Sequence, residues 1–159
     1  MVRIDEYTGD IKKEVVEFIL GILVGEFNHT GIARPDLQSI PETYQTNNGN
    51  FWVATESGKV IGTIALRNYG NGIGYITRMA VAQKHRGTGL AQELLHTLID
   101  FARIHDYQTL YLATSENMKA ANKFYPKQGF TRIPSLPKDL PITTDTFFYK
   151  LELSSWSKS

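Results

Sequence analysis

The chain has 159 residues, 42% hydrophobic and 21% charged, the make-up of a globular protein able to bury a substantial core, and one domain over residues 1–159 is expected. With 17 Lys and Arg against 16 Asp and Glu, the formal net charge is +1, so neither nucleic acid nor an anionic membrane is expected as a partner. No cysteine is present, which excludes a disulfide framework, a thiolate nucleophile and a Cys-based zinc site; His29, His85, His96 and His105 hold no i, i+4 pair, and no metal is expected.

The opening MVRIDEYTGD is polar and acidic and does not read as a signal peptide, and the apolar run Phe18 to Val24 is too short to span a bilayer, so a cytoplasmic location is expected. Ile11 to Phe27 reads as a helix, with Val15, Ile19, Ile22 and Leu23 near helical spacing. A turn-rich stretch follows, with room for a short helix after Pro35. Phe51 to Thr55 and Val60 to Leu66 are β-rich runs around Glu56-Ser57-Gly58-Lys59, a hairpin signal. Ile73 to Val81 reads as the next strand. The strongest helix comes after it, with Leu90, Leu94, Leu98 and Ala102 in one row and Ala91, Leu95 and Ile99 in the row beside it. Thr109 to Ala113 predicts a strand, Asn117 to Tyr125 a helix, Phe130 to Ile133 a short strand and Thr146 to Leu153 the last one. Strands and helices in this mixed order predict an α/β or α+β class with a mixed sheet.

Chemistry concentrates at Arg86-Gly87-Thr88-Gly89-Leu90-Ala91, between the Ile73–Val81 strand and the long helix. A helix start offers unpaired N–H groups and the positive end of the macrodipole to an anion. Glycines let a phosphate approach the main chain, and Arg86 adds a charge that can reach phosphate oxygens. A plain tight turn explains the glycines equally well. A dinucleotide fingerprint fits poorly, because Gln92 stands where a third glycine or alanine is needed, and no Gly-Lys-Ser/Thr phosphate loop occurs.

Arg86 to Ala91 matches R/Q-x-x-G-x-G/A, and Ala121 to Tyr125 followed by Gly129-Phe130 matches A-x-x-(L/F)-Y-x-x-x-G-F. With these two blocks in order, separated by a strand, the chain resembles the GNAT superfamily of N-acetyltransferases over about Ile73 to Ile133. The resemblance implies a mixed, mostly antiparallel central sheet flanked by helices, with a splayed strand pair that binds the coenzyme. It implies acetyl-CoA as co-substrate and transfer of acetyl to a primary amine by direct attack. Coenzyme-binding residues carried over are Met79, Ala80, Val81, Arg86, Gly87, Thr88, Gly89, Leu90, Ala91, Asn117 and Tyr125. A main-chain N–H of Met79 or Ala80 would face the thioester carbonyl, and the Tyr125 phenol would protonate the departing thiolate. A catalytically silent acyl-CoA-binding module satisfies the same loop and strand.

The chain departs from the family pattern at two places. Met118 stands where many members have an asparagine, with Asn117 one place earlier; and Pro126, directly after Tyr125, is expected to end or kink the helix there. No acid lies on the GYITRMAV strand, where members often carry a general base. Glu26, expected in a turn after the first helix, is a substitute, and a solvated surface acid is the plainer reading. The Pro134 to Thr146 segment is expected to border the acceptor cleft as a stiff loop. It has no acidic run, so a small amine or a peptide terminus is expected as acceptor rather than a lysine-rich tail. The oligomeric state, a homodimer included, is left open.

Overall fold

The computed structural model describes residues 1–27, 34–141 and 143–158, so His29 lies outside the described residues. Among the described residues seven strands form one sheet: β1 (Val2–Glu6), β2 (Asn50–Glu56), β3 (Lys59–Asn68), β4 (Ile73–Val81), β5 (Thr109–Thr114), β6 (Thr131–Ile133) and β7 (Phe147–Glu152). Their order is β1-β2-β3-β4-β5-β7-β6, and neighbours run antiparallel except β4 and β5, which are parallel. A parallel pair needs a long crossover, and α3 (Leu90–Ile104) supplies it. The mixed, mostly antiparallel sheet flanked by helices is the architecture expected from the resemblance.

The sheet carries helices on both faces, so its central strands read as nearly unbroken apolar runs. Along β2, Trp52 and Ala54 join the core under α3, while Phe51 and Val53 join the one under α1 (Lys12–Phe27) and α2 (Ile40–Tyr44). Leu90, Leu94, Leu95, Leu98, Ile99 and Ala102 are all buried, so the stripe read from the sequence is the face α3 lays on the sheet. No helix among the described residues is long and apolar enough to cross a membrane.

Two sequence expectations change. The polar opening segment forms β1, an edge strand in which four of the five residues are exposed and charge is tolerated because one face and one edge meet water. The helix α4 (Lys119–Lys127) does not stop at Tyr125 but carries Pro126 in its last turn. A proline there forfeits a single ladder bond. The helix then closes on Gly129 (φ 99°), with the Phe130 N–H donating to Tyr125 O and the Gly129 N–H to Pro126 O, both at 3.1 Å. This is a Schellman cap, and it holds Tyr125 in helical geometry against the proline's preference.

Candidate active site

The parallel pairing of β4 and β5 is short. It runs through Ile73 with Thr109, Gly74 with Leu110 and Tyr75 with Tyr111, and then the strands part. The far edge of β4 from Ile76 onward faces a cleft of about 520 Å³, walled on the other side by Leu112 to Ser115 and by α4. A bulge in β4 re-aims this edge. The β3 register slips between Thr63 and Ala65, Arg78 takes φ 56°, and the Thr63 hydroxyl donates to Arg78 O at 2.7 Å. Past the bulge, the Ala82 N–H donates to Ile61 O at 2.8 Å, towards β3. Alternation then turns the N–H groups of Met79 and Val81 to the open edge and that of Ala80 towards β3. The Val81 side chain is buried and that of Met79 is packed on the same core.

At one end of this edge the chain turns into α3. Gly87 and Gly89 have φ 77° and 90°, values a residue with a Cβ rarely adopts, and a Cβ built on either would meet no atom within 4 Å. Among the described residues, none of the N–H groups of Gly87 to Gln92 donates to a main-chain acceptor. The helix start is therefore a row of unpaired donors beneath empty space. The Thr88 hydroxyl donates to His85 O at 2.5 Å and pins the loop. Leu90 is buried in the core and Ala91 is half-buried, so both can reach a ligand only through the main chain.

Arg86 is committed to the protein. Its Nη1 and Nη2 donate to the two carboxylate oxygens of Glu26 at 2.7 Å each, and its Nε donates to Val81 O at 3.0 Å. Glu26 lies in the last turn of α1, not in a turn after it. Its hydrogen bonds raise the Arg86 pKa further above the ordinary guanidinium value. Arg86 thus ties the loop to β4 and α1, a role that sequence reading, which sent it to phosphate, did not foresee.

Tyr125 lines the same cleft and is 4% exposed, seated among the rings of Phe124, Phe130 and Tyr149 at 5.1, 5.3 and 6.2 Å. Burial raises its pKa above the usual phenol value, so it keeps its proton at neutral pH. Asn117 and Met118 also line the cleft, just before α4 begins. Asn117 is exposed and its Oδ1 accepts from the Ser115 hydroxyl at 2.5 Å. The asparagine that sequence reasoning missed is Asn122. Its Oδ1 accepts from the Thr114 and Tyr149 hydroxyls, and its Nδ2 donates to Ser115 O at 3.0 Å. It locks α4, and with it Tyr125, to β5 and β7; only the tertiary fold brings these partners together.

The other end of the cleft is built from side chains. Arg34, Tyr75, Arg78 and the loop residues Thr143, Thr144 and Asp145 line it, so the last part of the Pro134 to Thr146 segment borders the cleft. Arg78 donates from Nε and Nη2 to the two carboxylate oxygens of Asp36 at 2.9 and 2.8 Å, and the Tyr44 hydroxyl donates to Asp36 at 2.6 Å. Burial disfavours the charge on Asp36, but the bonds from Arg78 and Tyr44 outweigh it and hold its pKa below the ordinary carboxylate value. The Tyr75 phenol is pushed up to about 12, first by burial and then by the nearby charge of Asp145. Among the described residues no group of three or more His, Asp or Glu is placed to hold a metal ion.

Residues 16–130 match the model of the acetyltransferase (GNAT) family. The crystal structure of a GNAT-family acetyltransferase from Staphylococcus aureus superposes with a TM-score of 0.91 at 32% identity, covering 96% of this chain and 99% of that one. A Thermoplasma acidophilum N-acetyltransferase solved in complex with coenzyme A shares the fold alone, with a TM-score of 0.73 at 14% identity over 96% of this chain and 99% of that one. The N-acetylaspartate synthetase of Xenopus tropicalis is 35% identical over 109 residues, which are 67% of this chain and 40% of the relative, so the chain spans less than half the length of that protein. The splayed strands, the donor-lined helix start and the match over most of its length make this chain a member of the acetyltransferase (GNAT) family.

Proposed function

We propose that this chain binds acetyl-CoA along the open edge of β4 and transfers the acetyl group to a primary amine of a small molecule or peptide terminus. The observation that carries this reading is the parting of β4 from β5 after Tyr75, directly upstream of a helix start whose N–H groups are unpaired and whose glycines leave the space above them empty. The residues fit the coenzyme. The N–H groups of Gly87 to Ala91 would hold the pyrophosphate, and the main chain of Met79 to Val81 would take the pantetheine arm as an added strand, with Asn117 and Tyr125 on the opposite wall.

Of the two N–H groups first expected at the thioester carbonyl, alternation favours Met79, which faces the cleft, over Ala80, which faces β3. As the amine nitrogen bonds to the carbonyl carbon, the Met79 N–H stabilises the negative charge gathering on oxygen. As the carbon–sulfur bond breaks, Tyr125, which lines the cleft, gives its proton to the departing sulfur. The ammonium gives one proton to solvent before attack, and the proton that leaves the nitrogen as the amide forms restores the Tyr125 hydroxyl. With Glu26 spent on Arg86, that acid is ill-placed to receive either.

Two measurements test the reading. A thermal-shift screen is expected to show stabilisation by acetyl-CoA and none by ATP or NAD. A thiol-release assay with an amine panel is expected to show amine-dependent turnover. Stabilisation without turnover by any amine would return the chain to a silent acyl-CoA-binding module.

A further inference from the structure

The charged side chains that line the cleft among the described residues are Arg34, Arg78 and Asp145. Arg78 is held rather than free. It sits at the β4 bulge with φ 56°, a backbone state that costs a bulky residue energy and persists where the surroundings enforce it. Asp36, itself gripped by Tyr44, takes two of the guanidinium nitrogens. Neither of these bonds uses Nη1, and the side chain as a whole is 18% exposed. A guanidinium clamped on one side in the wall of a cleft is a preorganised donor for an anionic oxygen. On the loop before β7, Asp145 offers the opposite charge. Its N–H donates to the Thr143 hydroxyl at 3.1 Å, and its carboxylate has no hydrogen bond or ion pair among the described residues. Its field reaches Tyr75, at the point where β4 and β5 part. Ile19, Ile22, Leu23 and Phe27 of α1 line the same space with apolar groups.

A cleft that sets a held cation, a second arginine and an acid with no ion pair among the described residues around an apolar wall is matched to a ligand carrying both charges. We propose that the acceptor is an amine-bearing carboxylic acid, an amino acid with an apolar body, whose carboxylate takes Arg78 and whose ammonium takes Asp145. This rests on the acetyltransferase reading for the word acceptor. The binding claim stands apart from it. Asp36 and Tyr44 act as positioning residues, because they touch Arg78 and not the ligand.

The test compares matched pairs on the full chain loaded with coenzyme A: leucine with isoamylamine, and 5-aminopentanoate with pentylamine. Binding is read by calorimetry, and turnover by thiol release with acetyl-CoA. The carboxylate is expected to improve binding, and with it kcat/KM, by about ten- to a hundredfold in at least one pair, the worth of a charge-assisted hydrogen bond. Arg78→Lys keeps a charge beside Asp36 but loses the fork, and should collapse the ratio to within about threefold of one. Asp145→Asn should weaken both members of a pair by about tenfold and leave their ratio in place. If neither pair prefers its acid in binding or turnover, or if Asp145→Asn leaves both members unchanged, the proposal fails while the acetyltransferase reading stands. If the acids bind preferentially and no amine is turned over, the site is upheld and the catalytic reading falls.

Discussion

The two ends of the cleft are built from different materials. At the α3 end the groups facing the cleft are backbone: unpaired N–H donors, two left-handed glycines and space that no side chain enters. At the α1 end they are side chains, with Arg78 from β4 held by Asp36 and Tyr44 from the segment before β2, and Asp145 from the loop before β7. A backbone site is specified within one short segment, because glycine and a helix start carry their donors wherever they fold. A side-chain site needs elements far apart in sequence to arrive together. The first kind suits a ligand part shared by a whole family, and the second suits a part that differs between members.

The largest effect is expected from blocking the backbone end. Gly89→Val places a branched side chain in the empty space above the donors and at φ 90°. It should weaken acetyl-CoA binding by at least about a hundredfold in calorimetry, with a folded protein and a lower melting temperature. Near-native affinity would show that the loop does not hold the coenzyme. Tyr125→Phe removes one buried hydroxyl and keeps the ring. It should lower kcat by about ten- to a thousandfold while leaving coenzyme affinity in place, and an unchanged kcat would make Tyr125 a packing residue.

Arg86→Ala probes whether the backbone end depends on side chains at all. Because all three guanidinium nitrogens are taken up by Glu26 and Val81, the variant loosens the loop rather than deleting a phosphate contact. Coenzyme A binding should weaken by about three- to tenfold, more than binding of a pantetheine fragment without the pyrophosphate. Equal losses for both ligands would remove the loop from Arg86's influence.

The smallest effect concerns the side-chain end and shows in stability against pH. The folded-state pKa of Asp36 is lowered, so its contribution is present above the unfolded value near 4 and is lost as pH falls through the folded value below that. Asp36→Asn should cost about 1–2 kcal/mol in urea denaturation at neutral pH, and the gap to the native chain should close as pH falls through the lowered folded-state value. A gap that persists in acid would assign the cost to packing and not to the ion pair.

Most of the sheet, the stripe of α3 and the glycine loop were legible in the sequence, because each is written in local spacing. The strand β4 was read over its full span, Ile73–Val81. The edge strand β1 was not legible, since with most of its residues exposed it lacks the alternation that marks a half-buried strand. The end of α4 was misread at Pro126, where a local preference of the proline lost to the cap that Gly129 closes.

What the sequence determined by itself was the class of fold, the family and the place where the backbone is bare, since those depend on periodicity and on residues within one turn of each other. Tertiary structure alone decided how the charges are spent. Glu26 and Arg86 are 60 residues apart, as Asp36 and Arg78 are 42 apart, and no local rule pairs them. Once paired, Arg86 steadies the loop, Glu26 is taken up, and Asp145 remains as an acid of the cleft with no ion pair among the described residues. A charge acts by what stands within a few ångströms of it, and that distance is set by the fold.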